Sequence, residues 1–474
     1  MTTRYESIAA RLASDIEEGL LAPGERLPSL RTLCETAQVS LMTALAAYRR
    51  LESLQLIEAL PRSGYRVRMA HTRRLDRPAV ARSRLARPSS ARAAILRDVL
   101  AAVSDDTLVP LGLACPASEL FPLASLRRIT GSLLSSDPKL WTTYSLPPGL
   151  PELRRLVAKR LAARGARASA AQVLITNGAM EGLFLCLRAS VEPGDIVVVE
   201  CPTFFGILDV VHSVGARALE LPGHPESGID PARFAAACSE HKVRAAVLMP
   251  TFANPTGSSM PEGSKRAIMQ IAREHGVALI EDDLYSELAF DMRPPAPLVS
   301  YAVDDESPCF LVGSFSKSLL PAGRVGHVVA PQRWLERVTE LKRITSLAGA
   351  GVSERVVAEC VRTGAYDRHL RKMNAKLNQN VRRLEHLVAE SFPVGTKTSH
   401  PHGGFMLWIE LPAGANGERL FWSAREAGIG IVPGSVFSLA SELKRFIRLS
   451  AGSTFDFDAA VRKLGKLVHA QLAE

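Results

Sequence analysis

Short apolar runs alternating with helical stretches between Val173 and Val312 restrict this chain's fold more than any other feature of its sequence. Val173-Leu174-Ile175-Thr176, Ile196 to Glu200, Ala245 to Met249, Val277 to Ile280 and Cys309-Phe310-Leu311-Val312 each read as a short buried strand. Helical segments separate them, one opening at Gly178 and another running from Glu262 to His275. This alternation predicts an α/β body built on a mostly parallel sheet. Proteins of that class place their chemistry where strands end, so the residues after each run are the first candidates for a site.

The last run leads into Ser314-Phe315-Ser316-Lys317 and on to Pro321-Ala322-Gly323-Arg324. An amine in a partly apolar pocket near other cations has a lowered pKa and can hold an aldehyde as a Schiff base. The Ser314 and Ser316 hydroxyls, with Arg324 seven residues past the lysine, can grip a phosphate on the same aldehyde. The cofactor this suggests is pyridoxal 5′-phosphate. A lysine in a Ser-rich turn is as often a plain surface feature, and the other strand ends have to decide. Asn177-Gly178-Ala179 opens a helix whose first N–H groups form an anion site, and Gly178 permits close approach. Phe204, in Pro202-Thr203-Phe204-Phe205-Gly206, can lie flat against a planar ring or sit in the core. Asn254 can donate to a phenolate oxygen, although Asn254-Pro255 is also an ordinary turn signal. Asp282 can pair with a protonated pyridine nitrogen while Tyr285 bonds the phenolate, although acidic strand ends also cap helices. The order favours the functional reading: phosphate helix, stacking aromatic, Asn, Asp with Tyr, then Lys.

The amino-terminal segment follows a different pattern. Ile8, Leu12 and Ile16 recur at helical spacing from Arg4 to Glu18, with Gly19 as the stop and Pro23-Gly24 as a turn. Ser29 caps a second predicted helix from Leu30, and Ser40 a third carrying Ala44, Leu45, Tyr48, Leu51 and Leu54 on its buried side. Strands at Ile57 to Leu60 and Tyr65 to Arg68 flank a hairpin tip, Pro61-Arg62-Ser63-Gly64. Three helices and a hairpin make a winged helix-turn-helix, whose third helix can enter the major groove.

With 474 residues and a 47% hydrophobic content, the chain has room for about two to four domains with large cores. The first residues contain no apolar core segment and no later run approaches a membrane span, so no membrane partner and a cytoplasmic location are expected. Seven cysteines without a C-x-x-C pair indicate neither a disulfide framework nor a metal site, and reduced, structural thiols are expected. The net charge of +10 is concentrated early. Residues 1–69 hold nine Arg against eight acidic groups, whereas 70–92 hold seven Arg against one Asp, with Pro78, Pro88 and no apolar periodicity. That second stretch reads as a flexible basic linker, adding a salt-sensitive attraction to DNA phosphates or serving only as a solvated tether. The expected division is therefore 1–69, a DNA-binding domain; 70–92, a linker; and 93–474, the α/β body.

Leu27-Pro28-Ser29-Leu30-Arg31, Val39-Ser40-Leu41-Met42-Thr43-Ala44, Ala47-Tyr48-Arg49-Arg50-Leu51-Glu52 and Ser63-Gly64-Tyr65-Arg66-Val67 together resemble the head of GntR-family transcription regulators. The resemblance implies DNA contacts, mostly to phosphates, from Ser29, Arg31, Ser40, Thr43 and the wing at Arg62 and Gly64. The chain departs from that family at Leu41, where many members carry Arg. From about Leu111 onward the order of motifs resembles fold-type I pyridoxal-phosphate enzymes, the aspartate-aminotransferase superfamily, with a large sheet domain and a smaller carboxyl-terminal α+β subdomain. The likeness implies Lys317 as the internal-aldimine lysine, Asp282 as the pyridine-nitrogen partner, and Asn254 and Tyr285 as ligands of the ring hydroxyl. It makes Phe204 the stacking residue, and Gly178, Ala179, Ser314, Ser316 and Arg324 the phosphate site. Tyr144 resembles the tyrosine that reaches a neighbouring subunit's phosphate, and Arg448 the arginine that binds an amino acid's α-carboxylate. A GntR head joined to such a body is the layout of MocR-type regulators, which implies a head-to-tail homodimer, operator DNA as partner, and an amino acid or pyridoxal 5′-phosphate as effector. The runner-up is an aminotransferase with an accessory DNA-binding head, in which Lys317 also moves protons. A third reading, a DNA-binding repressor with an inert body, predicts no bound cofactor.

Overall fold

The computed structural model describes residues 4–17, 21, 25–54, 56–60, 64–67, 75–80, 84–85, 89–302, 309–439, 443–453 and 457–473. The chain divides into two compact units, Met1–Arg74 and Leu75–Glu474.

The first unit contains α1 (Arg4–Glu17), α2 (Leu30–Ala37), α3 (Leu41–Ser53) and the hairpin strands β1 (Ile57–Leu60) and β2 (Gly64–Val67). Ser29 and Ser40 cap α2 and α3, each accepting a hydrogen bond from the backbone N–H three residues on. Ile8, Leu12, Leu33, Ala44, Ala47, Tyr48 and Leu51 fill the core between the helices, and the Tyr48 hydroxyl donates to Pro28 O at 2.7 Å. Leu45 and Leu54, expected on the buried side of α3, are only half-buried, and Ala47 takes the inward position. The hairpin is antiparallel with Leu60 opposite Gly64, whose φ of +84° suits a residue without a Cβ. Glu25 and Leu27 extend this sheet, since Val67 N donates to Glu25 O and Leu27 N to Tyr65 O. The fold is the expected winged helix-turn-helix.

The second unit is organised by a nine-stranded sheet. In chain order its strands are β3 (Arg84–Leu85), β4 (Val173–Thr176), β5 (Ile196–Cys201), β6 (Arg217–His224), β7 (Gly228–Ile229), β8 (Val243–Leu248), β9 (Ala278–Asp282), β10 (Cys309–Ser314) and β11 (Gly326–Val329). They lie in the order β3-β6-β5-β8-β9-β10-β11-β4, with β7 on β6. The run from β6 through β5, β8 and β9 to β10 is parallel. β11 and β4 complete the sheet in antiparallel pairing. Helices cover both faces, so the strands are apolar throughout rather than alternating, as in Val197, Val198 and Val199. Register sets Val312 beside Asp282, Ser314 beside Gly326, and Gly326 beside Thr176, which gathers the strand ends that carry the candidate residues.

A second sheet of four antiparallel strands, β12 (Lys397–Thr398), β13 (Met406–Glu410), β14 (Val432–Pro433) and β15 (Phe446–Ser450), builds the smaller subdomain. Trp408 stands opposite Arg448 in that sheet and stacks on Phe446, with ring centroids 5.3 Å apart. Among the described residues no helix is long and apolar enough to cross a membrane.

The stretch read as a flexible linker is not a free tether over its described part. Leu75 and Pro78 are buried. Thr398 N donates to Asp76 O at 2.9 Å, Ala79 N to the buried Glu410 Oε2 at 2.7 Å, and Arg77 pairs with Glu226. Leu85 pairs with Leu219 at the edge of the large sheet. The second unit thus begins at Leu75, ahead of the expected start at 93.

Candidate functional site

β10 ends at Ser314, and the chain turns tightly to present Lys317. Ser314 Oγ donates to Val325 O at 3.1 Å and accepts from Ser316 N, and it lies at hydrogen-bonding distance, 2.9 Å, from Ser316 Oγ. Beyond the lysine, Ser318 Oγ and the Tyr366 hydroxyl share a hydrogen bond of 2.7 Å, and His369 Nε2 meets Ser318 O at 2.9 Å. The turn is therefore fixed on both sides of Lys317. Among the described residues Lys317 Nζ has no hydrogen-bond or ion-pair partner. Burial lowers its pKa, with the charges of Arg448 and Arg324 acting in the same direction and Cys115 and Asp282 opposing.

Asp282, at the end of β9, is buried, and its Oδ1 has no partner among the described residues. Burial pushes its carboxyl up to about 7, helped by Asp283 and Glu200 and opposed by the Leu284 N–H and by Lys317. Arg448, on β15 of the other sheet, reaches the same place. Its Nη1 donates to Asn254 Oδ1 at 3.0 Å and Nη2 to Gly112 O, while Nε has no partner among the described residues. Burial brings this guanidinium down to about 10, and it lies 5.2 Å over the Phe437 ring. Asn254 Nδ2 donates in turn to the Tyr285 hydroxyl at 3.5 Å, a long bond, and burial holds Tyr285 in its neutral form.

The anion cradle is built by close backbone approach. Gly178 has φ +81° and caps the helix Ala179–Ser190. A Cβ there would stand 2.4 Å from Arg324 Nη2, and one on Gly326 would stand 2.6 Å from Gly178 C. Glycine at 178 leaves room for the Arg324 guanidinium at the helix start, and glycine at 326 lets β11 pass close to the Gly178 backbone. Arg324 itself adopts a left-handed φ of +51°, a conformation that non-glycine residues rarely hold without a reason. Its Nη1 donates to Ser316 Oγ and its Nη2 to Asn177 O, both at 3.5 Å. A helix start at Ala179, a guanidinium and two serines thus stand together in an arrangement that can hold an anion.

Not every expected residue joins this group. Phe204 is half-buried with its ring 4.6 Å from that of Phe205. Tyr144 is 74% exposed. In the first unit, the Ser29 hydroxyl accepts from Thr32 N and shares a bond with Thr32 Oγ1, and Ser40 repeats the pattern with Thr43. Arg31 is 91% exposed beside Glu35. Arg62 lies outside the described residues.

Several residues at the site carried no signal of their own in the sequence. Cys115, half-buried, feels the charge of Lys317 and acts on Tyr285. Buried Lys342 donates to Glu181, which also accepts from Asn177 N and so holds the turn before the phosphate helix. Arg164 forms a two-pronged pair with Asp283, directly after Asp282. All are long-range meetings, which no local pattern in the sequence marks.

Residues 124–464 match the family described as aminotransferase class I and II, and residues 4–67 match bacterial regulatory proteins of the gntR family. The chain is 32% identical to the HTH-type transcriptional regulator YjiR of Escherichia coli, over 98% of this chain and 99% of the relative. It is equally 32% identical to YdcR of the same organism, over 99% and 100%. The 2-aminoadipate transaminase of Thermus thermophilus is 28% identical, over 80% of this chain and 95% of its own length. Among solved structures, LysN, the alpha-aminoadipate aminotransferase of Thermus thermophilus complexed with N-(5′-phosphopyridoxyl)-L-leucine, superposes with a TM-score of 0.74. That match is 26% identical and covers 81% of this chain and 98% of LysN.

Proposed function

The chain belongs to the aminotransferase class I and II family and carries a gntR-family head, and from that premise we propose that it is a transcription regulator using pyridoxal 5′-phosphate, in which the α/β body senses a small molecule and the head holds operator DNA. The observation that carries the reading is the joint presence, in one chain, of a winged helix-turn-helix and a body in which the Lys317 amine and Asp282 Oδ1 are both without partners among the described residues.

The residues fit the cofactor. A dry carboxylate oxygen without a donor suits a protonated pyridine nitrogen, and the Gly178 cradle with Arg324 suits a phosphate. When bound, pyridoxal 5′-phosphate supplies an aldehyde carbon open to amines and a ring that withdraws electrons. Lys317 contributes a nucleophilic amine, because burial and nearby cations favour its uncharged form. Asp282 holds the ring nitrogen, Asn254 and Tyr285 the ring hydroxyl, and Phe204 the ring face. Gly178, Ala179, Ser314, Ser316 and Arg324 hold the phosphate. Arg448, with Nε unpaired and its charge weakly solvated, takes the carboxylate of an amino acid effector. An effector that engages Arg448 on one sheet and Lys317 on the other fixes the two relative to each other, and such a differential contact is what shifts a conformational balance.

A head-to-tail homodimer completes the reading. Tyr144 is strongly exposed, as are Trp141, Leu146, Ile344 and Leu347, which supports a second copy covering this apolar surface. A second reading, amino acid transamination, is favoured by the lowered Lys317 amine and by the likeness to the 2-aminoadipate transaminase, and Lys317 and Tyr285 then serve as proton-handling groups. Gel shifts on DNA upstream of the gene, run beside an absorbance titration with each common amino acid and a keto-acid turnover assay, separate the two. Effector-dependent DNA binding without turnover supports the regulator. Rapid turnover with no DNA binding contradicts it.

A further inference from the structure

The tip of α3 contains almost nothing that can hydrogen-bond a base. Its first six residues are Leu41-Met42-Thr43-Ala44-Leu45-Ala46, and only Thr43 has a polar side chain. That hydroxyl is already bonded to Ser40 Oγ at 2.9 Å, and Ser40 Oγ also accepts from Thr43 N. Ala44, Ala47, Tyr48 and Leu51 turn inward. At helical spacing the opposite side presents Met42, Ala46 and Arg49, flanked by Leu41. Leu41 is 59% exposed and Met42 72% exposed, adjacent at the first two positions of the helix.

Single exposed apolar residues are ordinary on protein surfaces. Two side by side at the leading end of a second helix-turn-helix helix are placed where base edges are read. Cations stand around them: Arg49 and Arg50 are exposed further along α3, and Arg31 lies exposed on α2, a charge pattern complementary to phosphates flanking a groove. Two-pronged recognition of guanine needs Arg or Lys, and of adenine Asn or Gln. None occurs in the first six residues of α3. The one major-groove feature that saturated side chains distinguish is the 5-methyl group of thymine.

We propose that Leu41 and Met42 are specificity-determining residues that recognise thymine methyl groups in the major groove. The proposal rests on the reading of the head as DNA-binding through α3. It assigns the operator a thymine at the positions facing the start of α3, read by van der Waals contact and exclusion of water, with Arg31, Arg49 and Arg50 supplying affinity that is indifferent to sequence.

The test selects duplexes from a randomised library with the full-length protein, then replaces each thymine of an enriched site with deoxyuridine, which removes the methyl and keeps the base pair. Affinity is measured by fluorescence anisotropy. At one or two positions per half-site the loss should be about fourfold, the effect of one buried methyl. The double variant Leu41→Ala/Met42→Ala should bind more weakly, cease to distinguish thymine from deoxyuridine, and keep the salt dependence of the parent. Both side chains are exposed, and an unchanged melting temperature checks that the fold survives. Enriched sites that tolerate deoxyuridine everywhere overturn the inference alone. Failure to enrich any sequence removes the DNA-binding reading itself.

Discussion

Burial at the end of β9 leaves Asp282 Oδ1 without a partner and its carboxyl at about 7, well above its unfolded value. A group whose folded pKa is raised holds its proton more tightly in the native state, so its stabilisation is complete below about pH 4 and is lost as pH rises through about 7. Cofactor-free protein should therefore melt at lower temperature at pH 8 than at pH 5. Asp282→Asn should flatten that difference by about 3 kcal/mol, since about two units separate pH 5 from the folded value and each is worth roughly 1.4 kcal/mol. Equal melting shifts in parent and variant would show that the carboxylate is not strained by its surroundings. Glu200 and Glu281, also raised by burial, act in the same direction in both proteins. Lys317→Ala should abolish the near-visible absorbance of bound cofactor while leaving the circular dichroism intact. Arg448→Lys should keep that absorbance and weaken amino acid binding by roughly ten- to a hundredfold, the worth of one charged hydrogen bond. Asp282 and Lys317 were legible because each comes at the end of an apolar run, whereas Arg448, in mid-strand, was named only by the likeness to fold-type I enzymes. Cys115, Lys342 and Arg164 were not, because their roles come from meetings across long stretches of chain that periodicity does not encode.

Elements tell a different story at the two ends of the basic stretch. Leu75 and Pro78 are buried in an otherwise Arg-rich segment, too few to form a pattern, and so the sequence suggested a tether where the structure has a strap. Ala79→Pro removes the N–H that donates to buried Glu410, which also pairs with Arg445 and Lys397. The expected cost is about 1–3 kcal/mol, read as a lower melting temperature, whereas Val80→Ala at an exposed position should change nothing measurable. Arg31→Ala, on α2, should weaken DNA binding and reduce the slope of log affinity against log salt by about one. An unchanged slope would remove Arg31 from the phosphate contacts. Helices were the more legible elements, since Ser29 and Ser40 mark their starts by capping. Strand direction was not, because Val173–Thr176 is as apolar as the parallel strands yet sits at an antiparallel edge.

At the scale of the whole molecule, the chain joins a helix-turn-helix head of the gntR family to an aminotransferase-family body in which the Lys317 amine has no partner among the described residues. The two-unit division was visible in the change from capped short helices to strand-helix alternation, and the structure moves the start of the second unit to Leu75. The proposed pairing of copies rests, in the sequence, only on the likeness of Tyr144 to a residue that serves a neighbouring subunit. The central claim is that the Lys317 site controls the head's hold on DNA. Its most direct measurement is the affinity of the full-length protein, incubated with pyridoxal 5′-phosphate, for its enriched duplex, by anisotropy, across the common amino acids, for the parent and for Lys317→Ala. The account predicts that at least one amino acid changes the parent's affinity and leaves that of Lys317→Ala unmoved; an equal change in both proteins, or DNA binding deaf to every amino acid, would contradict it.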